Sequence, residues 1–221
     1  MPLHSVTQLS DCALLGLWHL QELAPELIEQ LPYPERYAEL QPVGRDTTRA
    51  TQWLAGRVLA HALLRQLTTS APPLLRNDAN GRPFCEHLPE LAVSLSHSGK
   101  WVAAIVATKG SLGIDIELVR PKAQKLASRF LSEAEQADAG DETTKYSLYW
   151  SAKETLYKLH SRRGLVFKEQ IKLDPFRLRE AGVLTGHLLL ENSRSQHQIH
   201  YTCPVAGYVL TYCHEMLNVA S

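Results

Sequence analysis

No stretch of the 221-residue chain approaches the roughly 18 consecutive apolar residues that a membrane-crossing helix needs. The first 23 residues lack a basic segment ahead of their apolar run Cys12–Leu20, so a strand or core segment is expected there, without a signal peptide. Cysteine is scarce: Cys12, Cys85, Cys203 and Cys213 form no CxxC pair, which points to reduced, packed thiols in a cytoplasmic protein. Ten histidines form no HExxH or HxH cluster, so a zinc site is not expected. Excess charge is missing too. Lysine and arginine total 23 against 23 acids, and neither half departs from balance by more than one. That excludes the basic excess of a general nucleic-acid binder. With 44% hydrophobic and 21% charged residues, disorder is excluded as well.

What remains is an ordinary globular chain, long enough for one large domain or two small ones. Residues 45–67 read as a long helix capped by Asp46 or Thr47, with Ala, Leu and Val on several faces. Arg57, His61 and Arg65 form one row along it, which an exposed helix would present to solvent. Asn80-Gly81 marks a turn joining strands Leu74–Arg76 and Phe84–Glu86. Strands are expected at Leu91–Ser96, Trp101–Thr108 and Leu112–Val119, the middle one nearly all apolar and therefore central. In the second half, the Ser132–Glu135 capping-box pattern opens a short helix and Thr143–His160 reads as a long one. Strand-like stretches follow at Lys168–Leu173, Val183–Leu190, Gln198–Tyr201 and Tyr208–Cys213. Each half thus runs helix and then strands, a hint of two similar lobes meeting near residue 110.

Two segments carry chemistry. In Gly113-Ile114-Asp115-Ile116-Glu117, strand alternation turns Asp115 and Glu117 to one face and Ile114 and Ile116 to the other. Two carboxylates side by side repel, so this face is either solvated at a sheet edge or neutralised by a cation. On the predicted helix Thr143–His160, Leu148, Ala152, Leu156 and Leu159 fall on one stripe, and Trp150, Glu154 and Lys158 on nearly the opposite one. An exposed Glu154–Lys158 ion pair would explain the two charges, but the tryptophan beside them favours a cleft-lining face. Three carboxylates without Cys or His suit a hard, oxygen-seeking ion such as Mg²⁺, and nearby lysines suit a phosphate-bearing substrate.

Gly113–Glu117 followed about 33 residues later by Trp150-xx-Lys153-Glu154-xxx-Lys158 resembles the signature of 4′-phosphopantetheinyl transferases of the long Sfp/AcpT-like type. Asn80-Gly81-Arg82-Pro83 resembles that family's Gly-Lys/Arg-Pro element, and Ser94-Leu95-Ser96-His97-Ser98 its Asn-Leu/Ile-Ser-His-Ser element. Trp53-Leu54-Ala55-Gly56-Arg57 is similar to a motif of the bacterial long-chain members. The matches run in order over residues 49–158. Ser94 departs from the usual Asn, and Tyr33–Arg49 offers only Arg36, Arg45 and Arg49 where the family often supplies cationic phosphate ligands.

The resemblance implies an α+β pseudo-dimer of two similar lobes, residues 1–110 and 111–221, each a long helix packed on a small, mostly antiparallel sheet, with coenzyme A in the cleft between them. It implies Mg²⁺-dependent transfer of phosphopantetheine from coenzyme A to a serine of an apo acyl or peptidyl carrier protein, releasing 3′,5′-ADP, by a cytoplasmic monomer. Asp115, Glu117 and Glu154 would hold Mg²⁺. Glu154, Lys158 and Asp115 would be catalytic, with Glu154 as base and Lys158 on the α-phosphate. Arg49, Arg57, Arg82, Ser96, His97, Lys153 and Lys158 would contact coenzyme A, with His97 and Arg82 near the 3′-phosphate; Lys153 could instead be a solvated neighbour. Another Mg²⁺-dependent nucleotide phosphotransferase or hydrolase, or a non-catalytic coenzyme A-binding scaffold, are the rival readings. Between Glu117 and Glu133 there is no acid, while Arg120, Lys122, Lys125 and Arg129 alternate with apolar residues including Phe130. This basic stretch is expected either to dock an acidic carrier protein, with Phe130 as anchor, or to be a solvated helix with Phe130 in the core.

Overall fold

The computed structural model describes residues 3–42, 47–160 and 164–216. Arg45 and Asp46, expected as a phosphate ligand and a helix cap, lie outside the described residues. The chain divides into two compact units, residues 1–112 with 214–221, and residues 113–213. The architecture is α+β, with antiparallel strand pairs and packed helices.

In the first unit the opening segment forms a hairpin, β1 (Leu3–Ser10) with β2 (Ala13–His19). Two short helices follow, α1 (Ala24–Glu29) and α2 (Pro34–Leu40), each with proline in its first turn, where a missing N–H costs nothing. The long helix α3 spans Thr47–Leu67. A small hairpin pairs β3 (Leu75–Asn77) with β4 (Pro83–Cys85), and β5 (Ala92–Ser98) returns antiparallel to β6 (Trp101–Ala107). The main sheet has the order β1-β2-β6-β5, with Ile105 of β6 opposite both Leu15 of β2 and Ser94 of β5. All of Ala13–Trp18 is buried, as the unbroken apolar run requires of a central strand. Helix α3 lies close on this sheet because β2 has Gly16 there; a Cβ would stand 2.9 Å from Leu59 Cδ1. Leu54, Leu59, Leu63 and Leu64 of α3 join Leu14, Trp18, Val93 and Val106 in one core.

The second unit starts within β7 (Ser111–Leu118) and continues through three short helices, α4 (Pro121–Lys125), α5 (Ala127–Phe130) and α6 (Glu133–Ala139). The capping box forms as the pattern implied: Ser132 Oγ accepts from the Glu135 N–H, and the Ser132 N–H donates to Glu135 Oε2 at 2.8 Å. Helix α7 (Thr143–His160) carries the apolar stripe into the core, where Leu148, Ala152, Leu156 and Leu159 are buried. Then come α8 (Phe167–Gln170), β8 (Ile171–Leu173), β9 (Ala181–Leu190), β10 (Ser193–Thr202) and β11 (Tyr208–Glu215). They build a five-stranded sheet of order β7-β11-β10-β9-β8. The strand expected over Lys168–Leu173 is a helical turn followed by a short strand. A buried ammonium, that of Lys153, accounts for this: it takes both the Phe167 and Ile171 carbonyls, and carbonyls four residues apart converge on one donor only where the chain turns.

Candidate active site

Helix α7 packs against β7 at Gly113, where a Cβ would run into the Thr155 carbonyl oxygen. Buried hydroxyls fix the approach further. Ser151 Oγ donates to the Asp115 carbonyl at 3.3 Å and lies 2.9 Å from Thr211 Oγ1, which is 2.7 Å from Thr155 Oγ1. Strand β7 and helix α7 are thereby held so that the Asp115–Glu117 face meets the Trp150–Glu154–Lys158 stripe.

Trp150, Glu154 and Lys158 are each half-buried, so the stripe is not a fully exposed ion-pair face. Lys158 reaches across to β7: its ammonium donates to Asp115 Oδ1 at 2.8 Å and to the Ile114 carbonyl at 2.9 Å. Asp115 is 4% exposed, so this pair is weakly screened. Trp150 Nε1 donates to Glu117 Oε1 at 3.1 Å. Burial first, then the charge of Asp115 and, more weakly, that of Glu117, raise the Glu154 carboxyl to about 7 against the pull of Lys158. Asp115 and Glu117 thus both act on Glu154.

Among the described residues, no three His, Cys, Asp or Glu side chains stand close enough together to hold a metal ion. Asp115 instead pairs with Lys158, and Glu117 accepts from the Trp150 indole. The donor set nonetheless fits a hard cation. All three groups offer oxygen only, and the lifted Glu154 carboxyl marks an acidic trio that a divalent ion would neutralise.

The expected nucleotide contacts on the first unit fall in three places. Arg82 ends the β3–β4 turn and is partly buried, with burial pulling its pKa down and Asp78 opposing that. Ser96 is buried in β5, and the neighbouring His97 is exposed near the strand's end. Arg49 and Arg36 are exposed, on α3 and α2.

Three expectations need correction. Arg57 does not lie on a solvated row: it is 2% exposed, its guanidinium 3.3 Å over the Trp53 ring, and His61 beside it is fully buried. The cause is the all-round apolar character of α3, which sinks this face into the core. Lys153 is neither a phosphate contact nor a solvated neighbour. It is 0% exposed, and its ammonium donates to Glu135 Oε2 at 2.9 Å and to the carbonyls of Phe130, Phe167 and Ile171. Three protons facing four acceptors leave none for a ligand. Phe130 is 4% exposed and packs edge-on against Trp150, so it is core and not a docking anchor. Arg120, Lys122, Lys125 and Arg129 are all exposed.

Sequence reasoning missed the hydroxyl chain. Ser151 and Thr155, one turn apart on α7, carried a signal; Thr211 lies outside every motif and carried none. It also missed Asn77, which accepts from Arg57 and donates to the Gly81 carbonyl at 2.8 Å.

Comparison with known proteins gives the same identification. The family model described as the 4′-phosphopantetheinyl transferase superfamily matches residues 111–213, and that of the 4′-phosphopantetheinyl transferase N-terminal domain matches residues 46–107. Among characterised relatives, the chain is 36% identical over 140 residues to 4′-phosphopantetheinyl transferase Sfp of Bacillus subtilis, covering 60% of this chain and 59% of that protein. It is 32% identical over 123 residues to 4′-phosphopantetheinyl transferase AcpT of Escherichia coli, covering 54% and 59%. A further Bacillus subtilis 4′-phosphopantetheinyl transferase is 35% identical over 116 residues, covering 50% and 48%. The chain therefore spans about half to three-fifths of the length of these relatives. With two family models in sequence order on the two units, and the acidic strand, lysine-bearing helix and Gly-Arg-Pro turn within the matched residues, this chain belongs to the 4′-phosphopantetheinyl transferase superfamily.

Proposed function

We propose that the protein transfers the 4′-phosphopantetheine group from coenzyme A to a serine of an apo acyl or peptidyl carrier protein, releasing 3′,5′-ADP. The observation that carries this reading is that Lys158 of α7 reaches Asp115 of β7 at 2.8 Å, with the Glu154 carboxyl of the same helix face raised by Asp115 and Glu117. The names of the relatives support the same reaction. The two units are read as two copies of one plan, a long helix on an antiparallel sheet, and the chain as a monomer working in the cytoplasm.

In the reaction the serine Oγ bonds to the pantetheine-side phosphorus of the pyrophosphate. The bond from that phosphorus to the bridging oxygen breaks, and 3′,5′-ADP leaves with the electron pair. Glu154 is the base that receives the serine proton, directly or through a water. Lys158, already on Asp115 and able to swing to a phosphate oxygen, pairs with the α-phosphate and stabilises the departing charge. Asp115, Glu117 and Glu154 would hold Mg²⁺. When bound, that ion would neutralise the pyrophosphate and polarise it for attack. Arg82 and His97 bind the 3′-phosphate end, with Ser96 and Arg49 as further contacts. The exposed cations Arg120, Lys122, Lys125 and Arg129 steer an acidic carrier toward the site.

Intact-mass measurement of a panel of apo carriers, incubated with the protein, coenzyme A and Mg²⁺, tests the proposal. The expected result is a gain of one phosphopantetheine per carrier, lost when the acceptor serine is replaced by alanine. Cleavage of coenzyme A without any carrier gain would favour a nucleotide hydrolase. Binding without cleavage would favour a scaffold.

A further inference from the structure

Arg57 is a cation in an unusual setting. It is 2% exposed, and among the described residues no carboxylate pairs with it. Burying an arginine without a counter-charge is costly. The cost is only partly offset here by the Trp53 ring at 3.3 Å and the Trp53 carbonyl at 3.0 Å, and among the described residues Arg57 Nε has no hydrogen-bond partner. A residue held on such terms has a job that a leucine could not do.

Its remaining bond shows the job. Arg57 Nη2 donates to Asn77 Oδ1 at the end of β3, and Asn77 Nδ2 passes the constraint to the Gly81 carbonyl at 2.8 Å. Gly81 has φ of 82°, a left-handed conformation that glycine tolerates, and its carbonyl belongs to the peptide unit that starts Arg82. From the other side, Asp78 Oδ1 accepts from the N–H groups of Asn80 at 2.7 Å and Arg82 at 2.9 Å. The Gly81–Arg82 peptide is thus clamped at both ends: its carbonyl through Asn77 to Arg57, its N–H by Asp78. Asn77 is exposed and would wander without the guanidinium, because an asparagine amide in water has no preferred partner. The charge on the donor makes the bond directional and strong.

We propose that Arg57 is a positioning residue: acting through Asn77 and the Gly81 carbonyl, it fixes the β3–β4 turn so that Arg82 is aimed at a phosphate group of coenzyme A. This rests on the functional reading above, and it replaces direct contact between Arg57 and the nucleotide. The guanidinium sets the turn from inside the unit and never meets the ligand.

Calorimetric titration of coenzyme A into the full chain tests it, with melting temperatures recorded alongside. Asn77→Ala, a surface change, should weaken coenzyme A binding about five- to tenfold, as losing one charge-assisted positioning contact implies, with little change in melting temperature. Arg57→Met should weaken binding by a similar factor, and adding Asn77→Ala to it should cost nothing more. In an Arg82→Ala background, Asn77→Ala should have no effect on binding, an epistasis that a purely structural role for Asn77 would not produce. Unchanged affinity in Asn77→Ala, or an equal loss whether or not Arg82 is present, would overturn the proposal while leaving the functional reading intact. A wild-type chain that does not bind coenzyme A would overturn both.

Discussion

Buried charges divide the residues of this protein into those that hold the fold and those left for chemistry. Lys153 and Glu135 form a pair with almost no exposure, and Glu135 also accepts from the Leu173 N–H at 2.9 Å and from Ser132. Lys153→Met should therefore destabilise by about 3–5 kcal/mol in urea titrations, because it strands a buried carboxylate. Adding Glu135→Gln should restore much of the loss, which a ligand-binding lysine would not show. His61 supplies a pH test. Burial, then the charges of Arg65 and Arg57, pull its pKa down to about 4, while Tyr37 Oη lies 2.8 Å from its Nε2. The folded state thus disfavours protonation relative to the unfolded chain. Its contribution is fully present above the unfolded value near 6.5 and is lost as pH falls toward 4, by about 3 kcal/mol in all. Denaturation midpoints followed from pH 7.5 to 4.5 should show that decline, and His61→Gln should flatten it. The residues themselves gave mixed guidance about such roles. Asp115, Glu117, Glu154 and Lys158 were legible because alternation and helical spacing put them on defined faces. Arg57 and Lys153 misled, because a cation in a motif looks like a ligand contact until burial is known.

The elements depend on close approaches that only small residues permit. Helix α7 sits on β7 at Gly113, and Gly186 of β9 leaves room for Leu156, whose Cδ1 would lie 2.6 Å from an added Cβ. Gly113→Ala should push α7 away from the strand, costing about 1–3 kcal/mol of stability. It should also slow carrier modification at least about tenfold, since it separates Lys158 and Glu154 from Asp115. Activity lost in proportion to folded protein alone would contradict this. At this scale the sequence was informative wherever periodicity was strong: α7 falls on the expected residues, and α3, β6 and β7 within two residues of them. It was uninformative over α1, α2 and α8. Those short helices are set by prolines or by the acceptors that Lys153 gathers, and a few residues carry no usable period.

For the whole molecule, charge is balanced overall but not locally. The four exposed cations on and around α4 and α5 have no acid among them from Leu118 to Ser132. Lys125→Glu with Arg129→Glu should raise the apparent KM for an acidic carrier roughly threefold to tenfold at low salt and flatten its salt dependence, with coenzyme A affinity unchanged. Unaltered carrier kinetics at low salt would move docking to another surface. Phe130→Ala should act on stability rather than on carrier dissociation, because the ring is buried against Trp150. The assignment of Asp115, Glu117 and Glu154 is the central claim, and one measurement addresses it most directly: release of 3′,5′-ADP and carrier mass gain, followed together at fixed coenzyme A while Mg²⁺ is varied, for wild type, Asp115→Ala and Glu154→Gln. The account predicts equimolar release and gain in the wild type, dependent on Mg²⁺, and loss of both in each variant with the melting transition retained. Near-normal turnover by both variants at low Mg²⁺ would contradict it.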